Sequence, residues 1–477
     1  MKDFKILITG ILLIFFAGSL GSCKKWLDVR PSSQIKEAEL FENELGFKDA
    51  LLGVYSKMSS PDLYADNLTM GFLDVLAQRY AVNNTGHKLY YAQRYDYLNI
   101  KIRPRIDAIW NEMYNTIANA NNILGHIEEK KGVFTGSNFN LIKGETLALR
   151  AFMHFDLLRL FAPAYSKGGN VAGIPYVNRL STTTSPLSTI DETLAYIIAD
   201  LKEAEALLEK TDPLNGAPLN GDDLSKFRTN RMNYFAVKAI LARVYLYKGD
   251  KINAALCAKQ VVDAKKYTFI TSANLTGTRK DRTFSTEHIF SLYISKLNEP
   301  ASEYFKFRVA GIDATELNHS ESNIKTVFEV ASGGSTDFRY AYLWEIDQSV
   351  KYHSKFWQEY SEATVNGGMY VKLMPLIRIS EMFYILAECE TNPVTAIGYL
   401  NEIRLNRGIS ALSTTFNLDG VKEEILKEYK KEFFSEGQLF YYYKRFSYPK
   451  VPGSTVIAND KVYVLPVPDN EYEFRNK

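Results

Sequence analysis

The chain has 477 residues, 46% of them hydrophobic and 13% aromatic, and its 57 Lys and Arg nearly cancel its 55 Asp and Glu. That balance leaves no chain-wide field for nucleic acid or an acidic membrane surface, so polyanions are excluded as main partners. The length exceeds what one hydrophobic core usually organises, which predicts one large composite domain or two packed lobes.

The N-terminus reads as a leader. Lys2 and Lys5 precede an apolar run from Ile6 to Leu20, and Leu20-Gly21-Ser22-Cys23 closes it, with Lys24 and Lys25 ending the apolar stretch at once. Such a core is too short to span a bilayer as a relaxed helix, so residues 1–22 are expected to be a cleaved signal peptide. The pattern resembles a bacterial lipobox, in which small side chains precede the cut and the Cys sulfur carries a diacylglyceryl group. Mature Cys23 would then hold several acyl chains, each buried methylene contributing about 0.8 kcal/mol, enough for a lasting anchor.

Helical periodicity dominates most of the mature chain. Residues 81–101 are polar and rich in tyrosine, after which 105–129 and 138–161 read as a helical hairpin; Leu141, Ala148, Ala151, Phe155 and Leu158 draw an apolar stripe on its second helix. Residues 162–190 break the pattern with Pro163, Gly168-Gly169, Gly173, Pro175 and Pro186. Residues 191–210 pair with 231–248, and after the turn signal Gly249-Asp250 the small residues Ala254, Ala255 and Ala258 mark a further, closely packed helix. Residues 267–372 mix short β-type runs, such as His288 to Ile294, with loops, and connections of this length are often where binding surfaces are built. Residues 376–390 and 394–406 form a last hairpin around Asn392-Pro393, with Leu376, Ile379, Phe383 and Leu386 as its stripe and Met382 and Ile385 beside it. The expected fold is mainly all-α: tetratricopeptide-like helical hairpins over roughly 34–265 and 373–446, with an inserted loop-rich, short-strand sublobe over roughly 267–372. An irregular helical lobe would make nearly the same contacts.

Reaction machinery is scarce. The sequence has no phosphate loop, no dinucleotide fingerprint, no H-E-x-x-H and no G-x-S-x-G. The six histidines, at 87, 126, 154, 288, 319 and 353, never fall in ligand spacing, so surface or packing roles are expected and neither metal nor cofactor is. Paired carboxylates for glycoside hydrolysis stay open, although most acids are expected on solvent faces, as at Glu203 and Glu205 or Glu423 and Glu424. Cys257 and Cys389 read as buried free thiols, a disulfide between them staying open.

Aromatic surface chemistry is enriched instead, with 31 Tyr, 28 Phe and 4 Trp. A tyrosine or tryptophan offers a flat apolar face and a polar tip, which suits the C–H faces of sugar rings while neighbouring Asn, Arg and Asp bond the hydroxyls. Packing is the competing role for any single ring.

In family order, several segments resemble the SusD/RagB family of lipid-anchored nutrient-binding proteins of Bacteroidetes outer membranes. They are Cys23 to Val29, Glu145 to Phe161 with Arg150, Ala151 and Phe155, Gly173-Ile174-Pro175-Tyr176, Ile190-Asp191-Glu192 to Leu201, Ile377 to Glu381 with Ala387-Glu388, Leu400 to Arg404, Glu424 to Arg445 with Glu436-Gly437, and Leu465-Pro466-Val467-Pro468 with Glu471. Two features depart from the pattern: the chain stops at Lys477 without an Asn-Pro and Gly-Tyr tail, and Gln438 and the run Tyr441 to Tyr443 stand where Arg is frequent. The tyrosine run reads as packing.

The resemblance implies a non-catalytic glycan-binding lipoprotein, surface-exposed on the outer membrane. Its implied partner is a SusC-type TonB-dependent transporter, over which it sits as a hinged lid and to which it passes oligosaccharides. Sugar contacts are implied near residues 81–101 and 335–360, which gives Asn84, Tyr90, Tyr91, Arg339, Tyr342 and Trp344 as the expected ligand-binding residues. The rival readings are a surface glycoside hydrolase and a structural envelope lipoprotein that binds only proteins.

Overall fold

The computed structural model describes residues 37–475 except 182, 220, 277–279, 307–314, 318, 348–349 and 357–367. Cys23 and the leader before it lie outside the described residues, as does the chain end beyond 475.

The principal helices are α1 (Glu44–Met58), α2 (Phe72–Leu76), α3 (Arg103–Ile127), α4 (Asn138–Phe161), α5 (Ile190–Glu209), α6 (Tyr234–Lys248) and α7 (Lys251–Asp263). Then come β1 (His288–Tyr293), β2 (Trp344–Asp347), β3 (Val350–His353), β4 (Leu373–Arg378), α8 (Ile379–Cys389), α9 (Pro393–Asn406), α10 (Leu418–Glu432) and α11 (Gln438–Arg445). From α3 to α10 each helix packs against the next, the nearest-neighbour order of a hairpin stack. α1 lies against α3.

Local chemistry sets the ends of these helices. Asn43, Asn233, Asp250, Asn392 and Asn417 each accept a backbone N–H of the first turn with the side chain, and Thr189 with Glu192 forms a reciprocal capping box at the start of α5. Gly249, at φ 83°, supplies the left-handed turn between α6 and α7. At Gly144 a Cβ would come within 2.8 Å of Leu208 Cγ, so the missing side chain is what lets α4 and α5 approach.

α4 departs from the expected single stripe. Every residue from Gly144 to Phe161 is buried, charged ones included, because other elements surround this helix. Each charge within it is paired: Arg150 forks onto Asp200 at 2.7 Å through both Nε and Nη2, Glu145 meets Arg228, and Asp156 accepts from Tyr64 at 2.7 Å and from Arg159.

The last hairpin also needs a correction. Residues 376–378, expected as helix, are strand: β4 runs antiparallel to β1, pairing His288 with Arg378 and Ser291 with Pro375, and all six of its residues are buried. Leu376 falls inside β4, at the bulge where the register shifts between Ile377 and Pro375, and the helix starts only at Ile379. Within α8, Met382 and Ile385 are buried and Phe383 is half-buried, so more than one face is covered. β2 and β3 form a separate two-stranded ribbon. The main apolar core runs continuously from Phe41 to Leu465 and includes Phe284, Phe305 and Phe328 of the 267–372 segment. Cys257 is buried and Cys389 half-buried, and both are free thiols. No helix among the described residues is long and apolar enough to cross a membrane.

Candidate functional site

A groove of about 890 Å3 opens between the C-terminal half of α1, the loop at 223–231 and the segment after β1. Leu292, Ile294 and Tyr55 form its buried apolar floor, and Leu52 of α1 is a half-exposed wall. Two aromatic rings face solvent across it, Phe227 at 65% exposure and Tyr293 at 45%. Ser59, Asn230, Arg231, Lys226, Asp223, Lys296 and Glu299 supply polar groups around them. The ion pairs Lys226–Asp223 and Lys296–Glu299 are solvent-exposed, so either partner is available to an incoming ligand at little cost.

Phe227 is held in a conformation that L residues avoid, at φ 49° and ψ 42°. A left-handed aromatic residue with a mostly exposed ring has no packing reason to stay there, and backbone strain of this kind gathers at functional positions. What fixes it is the next residue. Arg228 is buried, bonds Asp212 at 2.8 and 3.2 Å, reaches Glu145 of α4, and donates to Leu224 O at 2.9 Å. Burial works against its charge, but Glu145 and Asp212 more than offset that and hold the guanidinium above its usual value.

The floor belongs to the same network. Tyr55 donates to Glu145 at 2.7 Å and accepts from the Met232 N–H at 2.8 Å; burial, then the charge of Glu145, push its phenol well above the usual range. Asn233 donates to Ile289 O at 2.7 Å, tying the loop to β1, and Ser59 donates to Tyr293 O at 3.2 Å, tying the end of β1 to α1. Both rings therefore sit on backbone fixed from below.

A second, shallower trough of about 620 Å3 continues from the groove across Pro61, Glu299 and Pro300. Its walls are charged, with Asp62, Asp66, Lys88, Lys101, Arg105 and Glu303, and through Lys88 and Lys101 it reaches the 81–101 loop.

The six residues expected from sequence do not converge on one cavity. Tyr90 and Tyr91 are half-buried and meet edge to face at 5.1 Å, with Arg94 stacked 3.4 Å over Tyr90. Asn84 accepts the Gly86 N–H at 2.8 Å and so shapes the turn beside them. Tyr342 is half-buried against Phe338 at 5.8 Å. Arg339 and Trp344 need correcting as direct ligand contacts, because both are interior. Arg339 is 1% exposed and spends its guanidinium on Asp337, Glu428 and Glu432 at 2.7 to 2.9 Å. Trp344 is buried among His353 and Phe434 at 4.9 and 5.1 Å.

Phe227 and Tyr293 are not among the six. The signal for Phe227 is an aromatic residue in the polar loop Ser225-Lys226-Phe227-Arg228; for Tyr293 it is the position where a buried strand run ends. The acids also depart from expectation. Glu203 and Glu423 are exposed, but Glu205 is half-buried against Lys238 and Lys202, and Glu424 is buried against Lys427. Tyr441, Tyr442 and Tyr443 are all buried.

One constellation resembles a nucleophile and base. Ser435, at φ 62°, lies 3.0 Å from His353 Nδ1, and Tyr80 bridges Ser435 towards Asp74. All four are buried, so no substrate carbonyl reaches the hydroxyl. Among the described residues no group of three His, Cys, Asp or Glu is placed to hold a metal ion.

Residues 25–246 match the profile of a SusD-like family described as starch-binding and associating with the outer membrane, and residues 298–474 match that of the SusD family. A SusD-like protein of Formosa agariphila is 25% identical over 264 residues, 54% of this chain and 46% of the relative. Another from the same organism is 20% identical over 210 residues, 43% of this chain and 38% of the relative, so the matches span less than half of these curated relatives. Among solved structures, a SusD-like carbohydrate binding protein from Bacteroides vulgatus superposes with a TM-score of 0.71 at 19% identity, over 91% of this chain and 97% of that one. Surface glycan-binding protein A from Bacteroides uniformis does so with a TM-score of 0.67 at 18% identity, over 90% and 98%. These two likenesses are of fold.

Proposed function

The chain belongs to the SusD/RagB family, and from that premise we propose that it is a surface glycan-binding lipoprotein that captures oligosaccharides in the groove between Phe227 and Tyr293. It passes them to a SusC-type TonB-dependent transporter of the outer membrane, to which lipid-modified Cys23 keeps it adjacent. The observation that carries this reading is the pair of exposed rings, one held against its backbone preference, facing an open groove edged with polar groups. Each ring presents an apolar face to sugar C–H groups, and Asn230, Ser59 and Arg231 supply hydrogen bonds at the margin. The anchor raises the effective concentration beside a membrane partner, so modest affinity in each step suffices.

Native gels cast with a panel of polysaccharides test this. Retarded migration in at least one, with no new reducing ends after long incubation, is the expected result. Unretarded migration throughout would overturn glycan binding, and released reducing ends would mark a hydrolase.

The strain at Phe227 gives a sharper prediction. A left-handed L residue costs roughly 1–2 kcal/mol, and glycine adopts the conformation freely. Phe227→Gly should therefore be at least as stable as the parent in thermal unfolding yet bind the retained glycan more weakly. A variant that is destabilised, or that binds as before, would contradict the assignment.

A further inference from the structure

α4, α6, α8, α10 and α11 converge on a crevice of about 40 Å3, lined in part by the tyrosine run of α11. Three polar atoms on side chains that line it are buried and lack a protein partner: Arg243 Nη1, Arg159 Nε and Tyr441 Oη. The rest of each guanidinium is committed. Arg243 holds Glu381 through Nε at 2.7 Å and Nη2 at 2.6 Å, and Arg159 holds Asp156.

We infer that this crevice is a built site for ordered water, shared by Arg243, Arg159 and Tyr441, that joins α11 to α4 and α6. The space suffices, because one water needs only about 10–15 Å3 of such volume and two to four polar partners. The chemistry also selects water over an anion. Three guanidiniums, of Arg159, Arg243 and Arg445, are matched by three carboxylates, of Asp156, Glu381 and Glu388, so no surplus positive charge is left for a halide. A water accepts from the two arginine N–H groups and donates to Tyr441 Oη, with Gln438 Oε1, which also accepts from Arg159 Nη1 at 3.4 Å, on the same wall as a second acceptor. Tyrosine rather than phenylalanine at 441 then has a purpose, since a buried hydroxyl without a partner is a liability.

Two measurements on the full chain decide the matter. A high-resolution crystal structure should show a water peak within hydrogen-bond distance of all three atoms, and crystals grown with bromide should show no anomalous peak there. Tyr441→Phe should lower the thermal midpoint by a few degrees, because the water loses a partner; an unsatisfied hydroxyl would instead make that change neutral or stabilising. An absent peak, a bromide peak, or a Y441F variant at least as stable as the parent would each overturn the proposal.

Discussion

Glu432→Ala is expected to destabilise the protein by about 5 kcal/mol, the upper end of what removing one partner from a buried ion pair costs, because three buried cations lose a shared carboxylate at once. Glu432 accepts from Arg339 at 2.8 Å, from Arg407 at 2.5 and 3.1 Å, and from Arg378, and all four side chains are essentially inaccessible. The surroundings cannot absorb the loss. Glu287 already holds Arg407 at 2.6 and 2.7 Å, Glu428 holds Arg339 and Arg404 at 2.9 and 2.8 Å, and Glu436 holds Arg378 and Lys355. Burial disfavours the Glu432 carboxylate, yet Arg407, Arg378 and Arg339 together hold it well below the usual range. The network matters for the fold because it joins α10 to β4, to the end of α9 and to the 267–372 segment. Urea unfolding followed by circular dichroism measures the loss. Lys422→Ala, which breaks only an exposed pair with Asp419, should stay within about 0.5 kcal/mol. A Glu432→Ala protein as stable as that control would remove the network from any account of the fold.

Lowering the pH from 7 to 5 should cost several kcal/mol of stability. Burial holds the imidazoles of His154, His288 and His319 down at about 3 and that of His353 well below its usual value. For His154 the geometry says why protonation is refused: Nε2 accepts the Val177 N–H at 3.0 Å, which leaves Nδ1 to donate to Arg150 O at 2.9 Å and fixes the neutral tautomer. Between those depressed values and about 6.5 the unfolded chain binds protons that the folded chain does not, so stability falls as the pH drops through 6.5. The loss is roughly 1.4 kcal/mol per histidine per pH unit. Asp74 opposes it, since burial raises its carboxyl to about 6 and the folded chain gains a proton there below that pH. Burial raises the Asp281 carboxyl too, but four imidazoles outweigh these two carboxyls. Urea midpoints at the two pH values check the sign, and a midpoint at pH 5 equal to or above that at pH 7 would contradict it.

The helical frame was legible because its signals are local. Asn392-Pro393 and Gly249-Asp250 mark their turns, and the stripe through Ala148, Ala151 and Phe155 marks α4. What stayed hidden depends on partners far apart in the chain. Leu376 reads as the first residue of a helical stripe until β1, more than eighty residues earlier, pairs with its strand. Arg339 looks like a polar loop residue until Glu428 and Glu432 close over it, and Trp344 like an exposed ring until Phe434 packs on it. The groove was illegible for the same reason: Phe227 and Tyr293 are 66 positions apart, and long-range contacts such as Arg228–Glu145, Asn233–Ile289 and Ser291–Thr229 bring their segments to one opening.

The central claim is that the two exposed rings bind sugar. Titration calorimetry of an oligosaccharide retained by the wild-type protein, repeated with the Phe227→Ala, Tyr293→Ala double variant, tests it most directly. At about 1–3 kcal/mol per stacked ring, by analogy with aromatic stacking on other ring ligands, the account predicts at least a tenfold loss of affinity with unchanged thermal stability. Undiminished affinity in the double variant would place the binding site elsewhere and contradict it.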